Sequence, residues 1–183
     1  MKIEKLHHLF LKFNRASTDT RSIARGALFF ALKGENFNGN HFAIKALDSG
    51  ASYCIIDEQQ PQSNARFILV PNVLKTLQEL ANFHRKYLNI PIIAITGSNG
   101  KTTTKELINS VLGQQYKTHS TKGNYNNHIG VPLTLLQMDA SVDIGIVEMG
   151  ANHIGEIANL CQISAPNYGY ITNFGKAHLE GFG

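Results

Sequence analysis

The feature that most constrains the fold of this sequence is an apolar run that leads directly into a glycine-containing loop and then into a helical pattern. The run occupies residues 92–95, and four apolar residues recur at helical spacing between residues 107 and 112. The loop between them reads Thr96, Gly97, Ser98, Asn99, Gly100, Lys101, Thr102 and Thr103. A strand, a glycine loop and a helix in this order are typical of phosphate sites. The sequence therefore predicts an α/β fold that binds phosphate groups at this loop.

Each type of residue in the loop suits a phosphate ligand for a physical reason. Gly97 and Gly100 allow backbone N–H groups to approach phosphate oxygens, and the helix N-terminus adds partial positive charge. Lys101 supplies a cation for the outer phosphates, and Thr102 supplies a hydroxyl for Mg²⁺. The common spacing would place a further glycine at Ile95, so a shortened loop is predicted. The alternative is a glycine turn that carries a lysine without binding phosphate.

Composition and charge exclude several classes of protein. With 183 residues, 43% of them hydrophobic and 16% charged, the chain has a globular composition and room for two small domains. The net charge of +4 includes 17 Lys and Arg that are spread along the chain, which favours small anions over nucleic acid as ligands. No apolar run is long enough for a membrane span and no signal-peptide pattern occurs, so we expect neither.

The two cysteines, Cys54 and Cys161, lie in separate apolar surroundings without a second Cys or His at ligand spacing. They predict neither a disulfide framework nor a structural zinc site. Both are expected in the core of a protein from a reducing, cytoplasmic compartment.

Two regions of different character follow one another along the chain. In the first, three short apolar runs predict strands at residues 28–32, 52–56 and 67–70. A helix predicted from residue 73 onward should end near Pro91, because proline cannot continue the hydrogen-bond ladder. Beyond it the runs are nearly all apolar, as in a buried parallel sheet. We therefore predict one domain at residues 1–88 and a second, truncated domain at residues 89–183.

Polar residues follow three apolar strands of the predicted second domain at the point where each strand ends. These strands are predicted at residues 92–95, 144–147 and 168–171. Ligands in open parallel sheets bind beyond the carboxyl ends of the strands, so the three ends can converge on one site. Glu148 directly follows the second strand, where a carboxylate can hold a hydrated Mg²⁺ ion. The alternative for this glutamate is a solvated or helix-capping role.

Other polar positions extend the candidate site. His178 lies beyond the third strand and offers an imidazole to a second metal ion or to a phosphate. Asn126 and Asn127 belong to a stretch rich in Asn and Gly, whose amides suit a carboxylate or phosphate under transfer. A plain turn-rich loop is the alternative there. In the first domain, Arg21 beside Thr20 can grip a phosphate with two parallel hydrogen bonds, or it is a structural arginine.

These stretches together resemble the Mur ligase family over essentially the whole chain. The loop at residues 96–103 is similar to the ATP loop of all Mur ligases and of folylpolyglutamate synthase. Residues 124–132, 148–157 and 171–180 narrow the resemblance. They are most similar to the family member that joins D-alanyl-D-alanine to UDP-N-acetylmuramoyl-tripeptide.

The resemblance implies roles for individual residues. Lys101 would contact the terminal phosphates of ATP, Thr102 and Glu148 would bind one Mg²⁺ ion, and His178 would help to bind a second. The first domain would hold the uridine diphosphate end of the substrate. Residues 19–21, which read Asp-Thr-Arg, resemble the family's Asp-Ser-Arg motif in that domain.

The resemblance also implies an architecture and an activity. The fold would be a small N-terminal substrate-binding α/β domain followed by part of a P-loop mononucleotide-binding parallel-sheet domain. The reaction would be ATP-dependent amide-bond ligation through an acyl phosphate, carried out by a cytoplasmic monomer in peptidoglycan precursor synthesis. Family members have a third domain that brings the incoming amine. The resemblance implies that this piece lacks that domain, so the piece alone is expected to be inactive.

Two alternatives of different kinds remain open. One is another Mur ligase or a folylpolyglutamate synthase-like ligase, which would activate a different carboxylate. The other is a module that binds ATP and changes conformation without ligation, and that would show no dependence on an amine substrate.

Overall fold

The structure of the chain is a computed structural model that describes residues 1–61 and 64–175. It forms two compact units, Met1–Phe83 and a second unit that begins at His84. Both units combine helices with a parallel sheet, which confirms the predicted α/β class. The division of roles between residues 1–88 and 89–183 stays a prediction.

Unit 1 is built on a parallel sheet of four short strands in the order β1-β2-β5-β6. The strands are β1 Ala16–Ser17, β2 Leu28–Phe30, β5 Tyr53–Ile56 and β6 Phe67–Leu69, and a separate antiparallel hairpin pairs β3 Lys33–Gly34 with β4 Phe37–Asn38. The helices are α1 Ile3–Leu11, α2 Ala43–Asp48 after a 3₁₀ turn at Gly39–Phe42, and α3 Val73–Leu88, whose last residues belong to unit 2. The three strands predicted in this region are confirmed to within two residues at each end.

The core of unit 1 lies around β2, where all three residues are buried. Complete burial is typical of a parallel strand that is covered on both faces. Phe29 of β2 is paired with Cys54 of β5, and both pack with Ala43 and Ala46 of α2. Burial raises the pKa of the Cys54 thiol to about 12. Cys54 is therefore a neutral core residue, as predicted, whereas Cys161 in unit 2 is only half-buried.

Unit 2 contains a second parallel sheet in the order β10-β7-β9-β8. Its strands are β7 Ile92–Thr96, β8 Thr118–Ser120, β9 Ile144–Glu148 and β10 Tyr168–Ile171, and its helices are α4 Lys101–Leu112, α5 Gly130–Leu136 and α6 Glu156–Ser164. The three predicted strands β7, β9 and β10 are confirmed. β7 has β10 on one side and β9 on the other, so the strand order reverses beside it. Ligands bind at such a reversal in open α/β sheets.

The buried apolar residues of unit 2 include members of α5, β7 and β9. All seven residues of α5 are buried, and so are Ile95 of β7 and Val147 of β9. In the described residues, no helix combines the length and apolar character that crossing a lipid bilayer requires.

Two of the four apolar residues that predict the buried face of α4 do not lie on it. Leu107 and Val111 are 64% and 70% exposed, whereas Lys105 is buried with 1% of its surface accessible. Helical geometry places residues 101, 105, 108 and 112 on one side. This side is the more buried one, so α4 turns a lysine rather than Leu107 toward the interior of the unit.

Candidate functional site

The loop between β7 and α4 has the backbone geometry of a phosphate cradle. Gly97 and Gly100 adopt φ values of +135° and +79°, which L residues with a side chain rarely adopt. Gly100 directly precedes the first turn of α4, where the leading N–H groups have no partner within the helix. A helix N-terminus with free N–H groups and partial positive charge favours an anion.

Lys101 is folded back over this loop. Its Nζ donates to the carbonyl oxygen of Gly97 at 2.6 Å and to that of Ser98 at 3.3 Å. Both acceptors are neutral, so an anion at the loop would compete for the ammonium group on favourable terms.

A second loop, residues 172–175 after β10, holds the phosphate loop in shape. The backbone carbonyl oxygen of Asn173 accepts from the backbone N–H of Ser98 at 3.2 Å. The side-chain Oδ1 of Asn173 accepts from the backbone N–H of Asn99 at 3.0 Å. The Thr172 hydroxyl donates to the carbonyl oxygen of Asn99 at 2.6 Å. Two loop amides are thus already bonded, and the first turn of α4 offers further N–H groups to a phosphate.

Glu148 lies at the end of β9, opposite Ile95 in the register with β7. Its carboxylate is almost fully buried, at 3% exposure. Oε1 accepts from Asn126 Nδ2 at 2.9 Å, and the backbone N–H of Glu148 donates to Thr121 Oγ1 at 2.9 Å. Oε2 is buried and has no hydrogen-bond partner among the described residues. Buried carboxylate oxygens without a hydrogen bond are rare in proteins, and a bound cation can satisfy such an oxygen.

The stretch rich in Asn supports both the carboxylate and the next helix. The carbonyl oxygen of Asn126 accepts from Gly150 at 2.8 Å, in addition to the bond from its side chain to Glu148. Asn127 Oδ1 accepts from the backbone N–H groups of Ile129 and Gly130, at the start of α5. The predicted contact of Asn126 and Asn127 with substrate stays a prediction, because these bonds are internal.

A polar cleft of ≈ 400 Å³ opens beside the phosphate loop. It is lined by Lys101, Asn126, Asn127, His128, Gly150, Ala151, Asn152, Glu156, Asn159 and Leu160. Backbone N–H groups of Asn152 and His153 donate to Glu156 Oε2 and lower the pKa of its carboxyl group. The cleft therefore combines one cation, one carboxylate and several amides, which suits a polar ligand with an acidic end.

The metal ligands predicted from the sequence are only partly within the described residues. Thr102 lies in the first turn of α4 and Glu148 at the end of β9, whereas His178 lies outside the described residues. Residues 1–61 and 64–175 hold no group of three or more His, Cys, Asp and Glu that could bind a metal by themselves. The donor set fits Mg²⁺, which is commonly bound by one or two carboxylates together with substrate phosphates and water.

In unit 1, the predicted phosphate-binding Arg21 is held by its neighbour. Its Nε and Nη2 donate to the Asp19 carboxylate, with the shortest contact at 2.6 Å, although the Arg21 side chain is 85% exposed. The hydrogen bonds from Arg21 lower the pKa of Asp19 to about 2. Thr20 between them is half-buried. An incoming phosphate would have to share the guanidinium group with Asp19.

Sequence reasoning missed a polar network at the carboxyl ends of β2 and β5. Asn40 is completely buried. Its Nδ2 donates to Asn38 and Asp57 at 2.9 Å, and its Oδ1 accepts from the backbone N–H groups of Asp57 and Glu58. Lys33 Nζ lies 2.9 Å from the carboxylates of Asp57 and Glu58. Asn40 follows Gly39 within the 3₁₀ turn Gly39–Phe42, and a Gly-Asn pair alone does not predict a buried amide.

The network borders a shallow pocket of ≈ 420 Å³ at the β3–β4 hairpin. The rings of Phe37 and Phe42 stack beside it with centroids 5.3 Å apart, and Phe37 remains half exposed. An exposed aromatic face next to amides and charges suits a planar, hydrogen-bonding ligand.

Replacing Asn40 with alanine is expected to lower the free energy of unfolding of unit 1 by about 2–3 kcal/mol, because two backbone N–H groups lose their buried acceptor. Thermal and urea unfolding of the purified protein measure this loss. Asn36→Ala, an exposed change in the same region, is the matched control and should cost at most about 0.5 kcal/mol. Equal stability of the two variants would contradict the role assigned to Asn40.

The fold and the loop define a P-loop protein of the mononucleotide-binding α/β class. Family models of known proteins match residues in both units. Residues 95–183 match the family model of the Mur ligase middle domain, and residues 12–85 match that of the Mur ligase family, catalytic domain. The chain therefore belongs to the Mur ligase family.

Curated relatives share much of the sequence. The UDP-N-acetylmuramoyl-tripeptide–D-alanyl-D-alanine ligase of Bacillus subtilis is 43% identical over 169 residues, which is 91% of this chain and 37% of the relative. The protein of the same name from Synechocystis is 46% identical over 172 residues, or 92% of this chain and 38% of the relative. The chain thus spans well under half the length of the relatives that it matches.

Solved structures of the Mur ligase family resemble this chain in fold. MurF from Acinetobacter baumannii superposes with a TM-score of 0.85 at 36% identity, covering 91% of this chain and 37% of that one. MurF from Thermotoga maritima, whose crystal structure is a complex with ADP, superposes with a TM-score of 0.83 at 34% identity, covering 92% and 39%.

Proposed function

We propose that the protein containing this chain joins D-alanyl-D-alanine to UDP-N-acetylmuramoyl-tripeptide at the expense of ATP, as a step of peptidoglycan precursor synthesis. The observation that carries the proposal is the identity of 43% and 46% across both units with relatives of that name. The phosphate loop, the buried Glu148 and the adjoining cleft support it, since ligation of a carboxylate requires a nucleotide and a second, acidic substrate at one place.

The proposed ATP site is the loop at residues 96–103. The first turn of α4 would bind the phosphate oxygens, and Lys101 would leave the carbonyl oxygens of Gly97 and Ser98 to contact the terminal phosphates. The crystal structure of the Thermotoga maritima relative in complex with ADP supports nucleotide binding by a protein of this fold.

Thr102 and Glu148 would hold Mg²⁺ together with the nucleotide phosphates, and His178 is proposed to assist with a second ion. The unpartnered Glu148 Oε2 supports this fit. When bound, Mg²⁺ neutralises charge that develops on the phosphoryl group during transfer.

The proposed chemistry activates a carboxylate. The terminal carboxylate of the tripeptide attacks the γ-phosphorus, the bond from that phosphorus to the bridging oxygen breaks, and ADP leaves. The amine of D-alanyl-D-alanine then attacks the carbonyl carbon of the acyl phosphate and loses a proton to solvent, the bond from that carbon to the phosphate oxygen breaks, and phosphate departs. Lys101 stabilises the charge on the transferred group, and the amide side chains in the cleft orient the carboxylate. No nucleophilic side chain is required.

Unit 1 is proposed to bind the uridine diphosphate end of the substrate. Arg21 and Thr20 would contact the diphosphate, and the pocket at the β3–β4 hairpin offers an aromatic face and amides for a planar base. Both substrates and ATP are small, water-soluble anions or zwitterions, which supports a cytoplasmic enzyme. A monomer is proposed.

The test is phosphate release by the full-length protein with ATP, Mg²⁺ and UDP-N-acetylmuramoyl-tripeptide. We expect release only when D-alanyl-D-alanine is added. Glutamate with a folate acceptor is the matched control for a folylpolyglutamate synthase-like ligase and should give no release above background. Release that needs no amine, or that follows glutamate instead, would contradict the substrate assignment while leaving the nucleotide site in place.

A further inference from the structure

The interior of unit 2 contains a second lysine, Lys105, which has no part in the proposed mechanism. Lys105 lies one turn after Lys101 on α4 and is 1% exposed, the only residue of that helix that is fully buried. Its Nζ donates to the carbonyl oxygen of Thr121 at 2.7 Å. A buried ammonium group is costly unless charges of opposite sign and hydrogen bonds compensate it.

Two carboxylates approach this ammonium group, and they differ in burial. Glu106 Oε1 lies at 2.9 Å from Lys105 Nζ, but the Glu106 side chain is 58% exposed. Glu148 Oε2 lies at 4.0 Å, and the Glu148 side chain is 3% exposed. Water can solvate the half-exposed Glu106 carboxylate but not the buried Glu148 carboxylate, so Glu148 is the partner whose charge depends more on Lys105.

The distance of 4.0 Å has its own consequence. It is too long for a hydrogen bond, so Oε2 keeps its lone pairs free while the nearby positive charge offsets the negative one. Thr121 connects the two residues further, because its carbonyl oxygen holds Lys105 and its hydroxyl accepts from the backbone N–H of Glu148. Lys105 and Glu148 are therefore held by the same residue as a pair without net charge.

We propose that Lys105 is a positioning residue that acts as the resident counter-ion of Glu148. It keeps the buried carboxylate in place before any metal is bound. It also removes the net negative charge that would attract Mg²⁺ alone, so that metal binding depends on the phosphates of the nucleotide. This inference rests on the proposed nucleotide and Mg²⁺ site but not on the identity of the peptide or the amine.

The test compares apparent melting temperatures of the full-length protein with no addition, with about 5 mM Mg²⁺, and with Mg²⁺ and ADP. Lys105→Met is expected to lower the melting temperature by about 10 °C, because Glu148 becomes an uncompensated buried charge. Mg²⁺ alone should then raise it by about 3 °C, whereas the wild-type protein should respond only to Mg²⁺ with ADP. Since no peptide substrate is present, failure of the ligase assignment would not change these outcomes.

Two further variants make the result decisive. Glu106→Gln removes the half-exposed partner of Lys105. This variant should shift the melting temperature by at most about 1 °C and leave the response to Mg²⁺ unchanged. Lys105→Met combined with Glu148→Gln should recover most of the lost stability and show no response to Mg²⁺ alone. If Lys105→Met cannot be purified folded, recovery in the double variant still supports the pairing. An unchanged Mg²⁺ response in Lys105→Met, or no recovery in the double variant, would overturn the proposal.

Discussion

Replacing Lys101 with alanine is expected to lower the kcat of ATP-dependent ligation at least about a hundredfold, the effect typical of removing one preorganised electrostatic contact from a transition state. In the structure, Lys101 Nζ contacts carbonyl oxygens of the phosphate loop, at 2.6 and 3.3 Å. Its removal therefore takes away the cation proposed for the terminal phosphates without opening the core. The melting temperature should remain within about 2 °C of the wild-type value, because exposed or half-exposed changes of this kind cost little stability.

The measurement is steady-state phosphate release by the full-length protein, together with thermal unfolding of the same samples. Lys75→Ala is the matched control. That lysine lies on α3, and its contact with Glu79 is an exposed pair at 3.9 Å. Near-normal turnover of Lys101→Ala, or an equal loss in Lys75→Ala, would rule out the role assigned to Lys101.

The strands and the phosphate loop can be predicted because their signals are local. Residues 92–96 are mostly apolar and precede a glycine loop, so strand, loop and helix follow from neighbours in sequence. The short strand β8 at Thr118–Ser120 escapes prediction, since its residues are polar and all three are only half-buried. Helix α5 also escapes prediction, because a glycine and a proline within its first three positions favour a loop.

The exposure of Leu107 and Val111 on α4 escapes prediction for a different reason. Apolar character ordinarily marks the buried side of a helix, yet Leu107 and Val111 are exposed and Lys105 is buried. Lysine is among the residues least often buried, and Thr121 and Glu148, which are distant in the sequence, help to make the burial of Lys105 favourable. Those partners are brought together by the sheet order, which a local pattern does not contain.

The contacts that shape the candidate site are also long-range. The sequence places Asn126 near the site, but its bond to Glu148 joins residues 22 positions apart, and the bond from Asn99 to Asn173 joins residues 74 apart. These pairs depend on β7 being flanked by both β9 and β10. Sequence patterns therefore identify residue types with suitable chemistry, while the tertiary fold determines which of them support one another.

The phosphate loop and the loop after β10 approach each other closely at Gly97, so a substitution there is expected to have a large effect on nucleotide binding. A side chain at position 97 would collide with the Thr172 hydroxyl and lie 3.0 Å from the backbone nitrogens of Thr172 and Asn173, at a φ of +135°. Gly97→Ala is therefore expected to weaken ADP binding in the presence of Mg²⁺ at least about tenfold, because strain of about 1–3 kcal/mol displaces the phosphate loop from its cradle geometry. Calorimetric titration of the full-length protein with ADP measures the change.

Gly155→Ala is the matched control for this substitution. Gly155 also has a positive φ, +86°, but a Cβ atom there meets nothing within 4 Å. That variant should lose about 1 kcal/mol of stability and bind ADP like the wild-type protein. If both alanine variants bind ADP normally, the contact with Thr172 and Asn173 does not maintain the loop. If both lose binding equally, the effect of Gly97→Ala comes from positive φ alone, and the β10 loop has no special part in shaping the nucleotide site.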